Sequence, residues 1–204
     1  MTRRDFFDSI RKSAFGGRIG QRQVEGCEAI LDAWEARPGG RDPRRLAYML
    51  ATAFHETAAT MQPVRETLAE SDASAAARLE HACRAGRLGA VATPYWRADA
   101  EGKYWFGRGL VQLTHKANYE RMSRATGIDL VADPARAMGM ATAAAILVTG
   151  MEEGLFTGRR LGDYFSAGRS DWTNARRIVN GLDRAGQVAA LGRAFHRALT
   201  GTTR

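Results

Sequence analysis

The chain has 204 residues, of which 45% are hydrophobic and 25% are charged. This is the composition of a folded globular protein, and it excludes a disordered, collagen-like or disulfide-scaffold chain. Thirty Lys and Arg residues against 22 Asp and Glu residues give a net charge of +8, which favours a polyanionic partner. Nucleic acid, an anionic membrane surface and a bacterial cell-wall polymer all fit that charge. A genome-wide preference for arginine explains it equally well.

Two features of the sequence bear on where the protein is made. Cys27 and Cys83 are too few and too far apart for a zinc site or a disulfide framework, which favours a reducing compartment. The N-terminal residues carry no apolar stretch, and Asp5 and Asp8 interrupt them, so no secretory signal peptide is predicted. We therefore expect synthesis in the cytoplasm, and any action elsewhere requires release by another factor.

Helical periodicity predicts most elements in chain order. Apolar residues at three- and four-residue spacing indicate helices over 5–13 and 21–36. Asp42 followed by Pro43 begins a third helix, in which Leu46 and Phe54 belong to a buried stripe. Further helices are predicted over 74–84, 116–125, 133–151, a short segment from 162, 172–179 and 187–199.

The fold class follows from two of these segments. Residues 137–151 are apolar on nearly every side, which predicts a buried central helix; threonines and glycines interrupt it, so it is not a membrane span. Residues 109–114 form the one predicted strand region, so the sheet is small. We expect a single catalytic domain over residues 1–204, with N-terminal helices in 1–40 and the core in 41–200.

Two glutamates are the first candidates for chemistry. Glu56 lies in His55-Glu56-Thr57 at the end of the third helix, and at 100° per residue it points away from the apolar stripe. Glu66 follows ten residues later, in a loop after Pro63. Glycosidic hydrolysis requires such a pair, an acid for the leaving oxygen and a base for water. Two solvated surface glutamates are the alternative interpretation.

The same segments exclude two other kinds of site. The zinc protease motif HExxH would need a second histidine at position 59, where the chain has Ala59. A dinucleotide loop would need a third glycine after Gly107-Arg108-Gly109, at the position of Gln112. The sequence also contains no serine or cysteine nucleophile motif. No metal and no cofactor are therefore expected.

The run from Tyr104 to Thr114 is the second candidate. In a strand, Gln112 and Thr114 would share one face and Val111 and Leu113 the other. Amide and hydroxyl groups on one face are suited to hold sugar hydroxyls or a positioned water. A polar edge strand beside a glycine turn is the alternative interpretation.

Four segments together carry a resemblance to a known family. The chain resembles glycoside hydrolase family 19, the chitinases of plants and bacteria, and most closely its small phage-endolysin-like members, over roughly residues 46–199. The segments, in order, are Ala53-Phe54-His55-Glu56-Thr57, the run from Phe106 to Thr114, Asn118-Tyr119, and Ile178-Val179-Asn180-Gly181. The resemblance implies a mainly α, lysozyme-like, two-lobed helical domain with a very small β region, a central buried helix and a substrate cleft.

The resemblance also implies roles for individual residues. Glu56 matches the family's general acid, and Glu66 is the best match for the second carboxylate, which activates water in an inverting reaction. Glu70 and Asp72 are the other candidates for that second carboxylate. The residues that match the family's substrate-binding positions are Gln112, Thr114, Asn118, Tyr119 and Asn180. His55 and Arg108 are interpreted as structural residues near the site.

The leading hypothesis is an endolysin of phage or prophage type that cleaves β-1,4 bonds of peptidoglycan. The cysteines of the plant chitinases are absent and the segment after Asn180 is short, which favours peptidoglycan over chitin. A chitinase and a catalytically inactive cell-wall-binding protein are the alternatives. A nucleic-acid binder is disfavoured because the arginines are scattered. We expect a monomer without stable membrane insertion that reaches the periplasm and its cell wall through a holin.

Overall fold

The computed structural model describes residues 2–39, 41–89, 91 and 93–202, so residues 1, 40, 90, 92 and 203–204 of the expected domain lie outside the described residues. The described chain is mainly helical, as predicted. Its α-helices are α1 (Arg3–Ser13), α2 (Gln21–Glu35), α3 (Pro43–Glu56), α4 (Asp72–Arg84), α5 (Lys116–Thr126), α6 (Met140–Glu153) and α7 (Ala185–Thr200). Its strands are β1 (Val64–Arg65), β2 (Arg108–Gly109), β3 (Phe165–Ser166) and β4 (Arg169–Ser170).

Local sequence signals explain where several helices begin and end. The side chain of Thr2 accepts from the backbone N–H of Asp5 and begins α1, and Asp42 accepts from Arg44 N–H at the start of α3. Gly127 adopts a left-handed conformation directly after α5, which ends this helix where the sequence predicts. These caps place the helix boundaries within about two residues of the expected ones.

The β structure of the described residues is small, as predicted, but it is distributed over two separate two-stranded sheets. β1 pairs antiparallel with β2, with Val64 opposite Gly109 and Arg65 opposite Arg108, and β3 pairs with β4. The predicted strand over 109–114 was wrong beyond its first residue, because the chain turns through 110–112. Gly109 and Gln112 have φ angles of 93° and 56°, which a continuous strand does not allow.

The larger hydrophobic core is built around α3. Every residue over 46–53 is buried, so the predicted apolar stripe extends around the whole helix there. α7 packs along α3, and Trp172 lies against this pair. A Cβ at Gly192 of α7 would lie 2.9 Å from the Trp172 ring, so a glycine is required for this close packing.

The apolar segment expected as the central helix forms α6, which packs against α2 and buries residues such as Ile146, Leu147 and Met151. Its predicted start at 133 was wrong. Residues Pro134–Met138 form a 3-10 helix, and Gly139 is extended with ψ of 131°, so α6 begins only at Met140. The predicted helices at 162 and 172–179 are likewise short 3-10 helices, at Leu161–Asp163 and Asn174–Ile178.

A second, smaller hydrophobic cluster gives the molecule its second lobe. It consists of Ala69, Ala75, Leu79, Trp96 and Phe106. The segment that links α3 to this cluster carries β1, so the β1–β2 pair lies where the chain passes between the two clusters. Among the described residues, none of the helices combines the length and apolar character needed to cross a membrane.

Candidate functional site

Glu56 is the last residue of α3, and the residues after it reverse the chain. Thr57, fully buried, donates its hydroxyl to Ala53 O at 2.7 Å and ends the helix. Met61 then packs against Gly26 of α2, where a Cβ would lie 1.8 Å from Met61 O. Only glycine permits this contact. The end of α3 that carries Glu56 is therefore fixed by the Thr57 hydrogen bond and by the packing of Met61 on α2.

A buried arginine holds the Glu56 carboxylate. Arg176 Nη1 donates to Glu56 Oε1 at 2.6 Å, and Arg176 Nε donates to Asp183 O at 3.2 Å. The side chain of Arg176 is only 2% exposed and that of Glu56 is 18% exposed. Glu56 Oε2 accepts no hydrogen bond from any described residue. One carboxylate oxygen is thus anchored while the other is free to meet a ligand.

Glu66 is held by a different set of donors. The Tyr95 hydroxyl donates to Glu66 Oε1 at 2.9 Å, and the backbone N–H of Gly107 donates to Oε2 at 2.7 Å. The Glu66 N–H in turn donates to Gly107 O at 2.7 Å. A carboxylate that accepts two such bonds is held in one orientation. Burial, and next the Glu66 charge, raise the pKa of Tyr95, so the phenol remains a donor.

The other two candidates for the second carboxylate lie differently. Both oxygens of Asp72 are bound by guanidinium groups, since Oδ1 accepts from Arg65 and Oδ2 from Arg108, each at 2.6 Å. Glu70 is exposed, and it contributes its backbone carbonyl to Arg65. Neither carboxylate has the combination of free lone pairs and fixed position that Glu66 has.

Gln112 and Thr114 meet around Gly107, although the strand expected to align them does not form. A Cβ at Gly107 would lie 2.6 Å from Gln112 Oε1 and 3.2 Å from Thr114 Oγ1. Gln112 also donates to Val64 O at 3.2 Å. The turn through 110–112 therefore brings an amide and a hydroxyl to the same residue whose N–H binds Glu66.

The remaining predicted substrate-binding residues occupy three different environments. Asn118 is half-buried and donates to Thr114 O at 2.8 Å, and Asn180 is exposed beside the segment that carries Arg176. Tyr119 is fully buried, and its hydroxyl donates to Phe106 O at 3.0 Å. The ring of Tyr119 lies in the core, and its assignment to substrate binding stays a prediction.

The two residues interpreted as structural lie close to the glutamates in the chain. His55 is half-buried on the last turn of α3. Arg108 contacts neither Glu56 nor Glu66; it donates to Tyr104 O at 2.9 Å and to the Tyr119 hydroxyl at 3.1 Å, and it stacks on Phe106. These contacts are those of a residue that braces β2 and the turn that follows it.

Arg176 and Tyr95 belong to the candidate site, although no motif in the sequence indicates them. Each binds one of the two candidate carboxylates, yet each is distant from it in sequence, by 120 residues for Arg176 and 29 for Tyr95. Arg176 stands two positions before Ile178, the start of the fourth resemblance segment, and that proximity was the one available signal. No hydrogen bond or ion pair between described residues joins the Glu56 group to the Glu66 group directly.

Comparison with known proteins supports an assignment of the family. The family model described as chitinase class I, of glycoside hydrolase family 19, matches residues 39–149. The match covers more than half of the chain and includes Glu56, Glu66 and the Gly107 turn. A comparison with curated proteins finds no match. Within the described residues, no group of three or more His, Cys, Asp or Glu side chains could hold a metal ion. Because the family model matches more than half of the chain, the chain belongs to glycoside hydrolase family 19, whose members are glycosidases that act on chitin or peptidoglycan-like glycans.

Proposed function

We propose that the protein is an endolysin-type glycosidase that cleaves β-1,4 bonds of bacterial peptidoglycan by inversion, with Glu56 as general acid and Glu66 as general base. The observation that carries this proposal is the different anchoring of the two carboxylates. Glu56 is held through one oxygen by Arg176, whereas Glu66 is held through both oxygens by Tyr95 and Gly107. In this proposal Glu56 keeps one oxygen for the leaving group, and Glu66 keeps a fixed orientation toward the attacking water.

The acid step uses the free oxygen of Glu56. With a proton on Oε2, Glu56 donates it to the glycosidic oxygen as the bond to the anomeric carbon breaks. Oε1 keeps its bond from Arg176 throughout. The guanidinium fixes the carboxyl group in position and stabilises the carboxylate that the proton transfer leaves behind.

The base step uses Glu66 with Gln112 and Thr114. Each oxygen of Glu66 accepts one protein hydrogen bond, which leaves lone pairs that can accept from water. That water attacks the anomeric carbon from the face opposite the leaving group and gives its proton to Glu66. Gln112 and Thr114, both beside Gly107, are placed to hold the water or a sugar hydroxyl. Proton exchange with solvent restores both carboxyl groups.

The charge of the chain supports peptidoglycan as the polymer. The chain carries a net charge of +8, and the cell wall carries carboxylates and phosphates. We further propose that a monomer made in the cytoplasm reaches the periplasm through a holin, as in phage-type lysis. Chitin is the second candidate substrate, because the matching family model is described as chitinase class I.

Hydrolysis assays on two polymers test the proposal. Turbidity loss and released reducing ends are measured on Gram-negative cells stripped of their outer membrane and on colloidal chitin. The variants are Glu56→Gln and Glu66→Gln. Glu152→Gln is the matched control, because Glu152 is another half-buried glutamate paired with an arginine, Arg45, at 3.2 Å.

The expected result is that the wild type and Glu152→Gln clear the stripped cells, while Glu56→Gln and Glu66→Gln fold but release no sugar ends. A wild type that degrades only chitin would replace peptidoglycan with the second substrate. A folded wild type that binds the wall and cleaves neither polymer would show a binding protein instead. Co-expression with a pore-forming holin tests the release route, since lysis is expected only when both proteins are present.

A further inference from the structure

Asp72, the first residue of α4, joins β1 and β2, the two strands that end or begin next to Glu66 and its backbone partner Gly107. Asp72 Oδ1 accepts from Arg65 Nε and Oδ2 accepts from Arg108 Nη2, each at 2.6 Å. Arg65 is the last residue of β1 and immediately precedes Glu66. Arg108 is the first residue of β2 and immediately follows Gly107. The two arginines are register partners in the β1–β2 pair. One carboxylate therefore bridges the strands at the rung next to Glu66.

The bridge neutralises a buried charge. The side chain of Arg108 is 1% exposed, and Asp72 is the carboxylate that pairs with it. Arg108 Nε is buried without a hydrogen-bond partner among the described residues. A buried guanidinium that loses its counterion is strongly destabilised, so Arg108 depends on Asp72. Burial alone would raise the pKa of Asp72, but the bonds from Arg65 and Arg108 outweigh it and lower that pKa.

The backbone around Glu66 requires such support. Each strand of the β1–β2 pair has only two residues, and so short a ladder has little stability of its own. Thr67 and Leu68, directly after Glu66, have φ angles of 63° and 53°. A left-handed conformation is unfavourable for such side chains and persists only where surrounding contacts impose it. Leu68 is 55% exposed, so its own packing does not impose it.

We propose that Asp72 is a positioning residue for Glu66, which it holds in place by clamping Arg65 and Arg108 across the β1–β2 pair. This inference rests on the proposed function, in which Glu66 is the general base. Asp72 does not touch the reacting atoms. It fixes β1, the strand directly before Glu66, and it keeps two guanidinium groups occupied that would otherwise be free to pair with the Glu66 carboxylate.

Asp72→Asn tests the clamp by removing one negative charge with almost no change in shape. We expect kcat to fall about tenfold or more with KM within about threefold, because a displaced base slows the chemical step while binding contacts remain. Asp72→Glu, which restores the carboxylate, is expected to recover part of kcat. Glu80→Gln is the matched control on the same helix. Glu80 also accepts hydrogen bonds from an arginine, Arg97, and from the Trp96 indole N–H in the second lobe.

A second readout does not depend on activity. The Gly107 N–H donates to Glu66 Oε2 at 2.7 Å, and its NMR chemical shift reports that bond. We expect this resonance to move upfield, as for a lengthened bond, in Asp72→Asn and to stay in place in Glu80→Gln. Thermal unfolding of each variant separates a local displacement from general loss of the fold.

The outcomes distinguish a failure of the Asp72 clamp from a failure of the proposed function. If Glu66→Gln abolishes hydrolysis while Asp72→Asn matches Glu80→Gln in kcat and in the Gly107 resonance, the clamp is overturned and the proposed function stands. If Glu66→Gln is as active as the wild type, the proposed function fails, and the positioning role of Asp72 fails with it. A selective loss of kcat with a moved Gly107 resonance in Asp72→Asn supports the clamp.

Discussion

Arg176 donates to Glu56 at 2.6 Å across 120 residues of sequence. The arginine lies in the 3-10 helix at Asn174–Ile178, whereas Glu56 ends α3. The two elements meet because α3 packs along α7 and the 3-10 helix packs beside α7. The C-terminal part of the chain therefore completes a site whose two carboxylates lie in the region matched by the family model.

The first prediction concerns this pair. Arg176→Lys is expected to lower kcat by about tenfold or more, because lysine cannot reproduce two directed bonds, to Glu56 and to Asp183 O, from one planar group. Arg177→Lys, at the exposed neighbouring position, is the control and should behave as the wild type. Steady-state kinetics of both variants make the comparison. Equal kcat values for the two variants would contradict a role for Arg176 in positioning Glu56.

The second prediction concerns Tyr95. Tyr95→Phe removes the donor to Glu66 Oε1 and keeps the ring that packs on Trp96 and His115. The bond ends on a carboxylate, so the free energy of unfolding should fall by about 1.5–3 kcal/mol, the net contribution of a hydrogen bond to a charged group. The rate constant kcat should also fall by about tenfold, because Glu66, the proposed base, loses one of its two orienting donors. Denaturant unfolding and kinetics on the same preparation measure both effects, and a kcat equal to that of the wild type would argue against a role for Tyr95 in orienting Glu66.

The third prediction concerns space at Gly107. Gly107→Ala places a Cβ 2.6 Å from Gln112 Oε1 and 3.2 Å from Thr114 Oγ1, so both side chains must move. We expect loss of activity together with a destabilisation of about 1–3 kcal/mol from overpacking. Gly186→Ala is the control, since no described residue has an atom within 4 Å of a Cβ there. An active Gly107→Ala enzyme would show that the positions of Gln112 and Thr114 do not matter for hydrolysis.

The fourth prediction concerns acid stability. Bonds from Arg97 and Trp96 lower the pKa of Glu80 from 4.5 to about 2, and bonds led by Lys103 N–H lower the pKa of Asp99 from 3.8 to about 2. When the folded-state pKa is below the unfolded one, the stabilisation is complete above the unfolded pKa. It is lost as the pH falls through the folded pKa.

The free energy of unfolding should therefore decline between about pH 4.5 and pH 2 as protons bind to the unfolded chain. Urea unfolding at a series of pH values measures this decline. Glu80→Gln should show a shallower slope over the same window, because it lacks one of the carboxyl groups whose pKa is lowered in the folded state. A slope identical to that of the wild type would mean that the bonds to Glu80 do not stabilise the folded state.

Much of the helical framework could be predicted because its signals are local. Caps such as Asp42 and left-handed glycines such as Gly127 act within a few residues, and apolar spacing reports which side of a helix is buried. The limits of α6 were missed for an equally local reason. Gly139 takes an extended conformation that apolar content alone does not reveal. The same apolar residues fit a continuous helix or a helix after a break.

The candidate site could be predicted only in part, because several of its contacts are long-range. The sequence singles out Glu56 and Glu66 as a pair whose roles the family resemblance implies, but Arg176 and Tyr95 reach them through tertiary packing. Gln112 lies beside Gly107 because of a turn with φ of 56°, a conformation that residue type does not indicate. Tyr119 shares a motif with Asn118, yet its ring is in the core, and burial cannot be derived from a dipeptide.

The stereochemistry of the first product tests the two-carboxylate mechanism most directly. Proton NMR during the first minutes of hydrolysis, on peptidoglycan fragments or soluble chitin oligomers, distinguishes the newly formed α-anomer from the β-anomer. The inverting two-carboxylate mechanism predicts that the α-anomer forms first from the β-1,4 bond, and that neither anomer forms with Glu56→Gln or Glu66→Gln. A β-anomer as the first product, or undiminished hydrolysis by either variant, would contradict it.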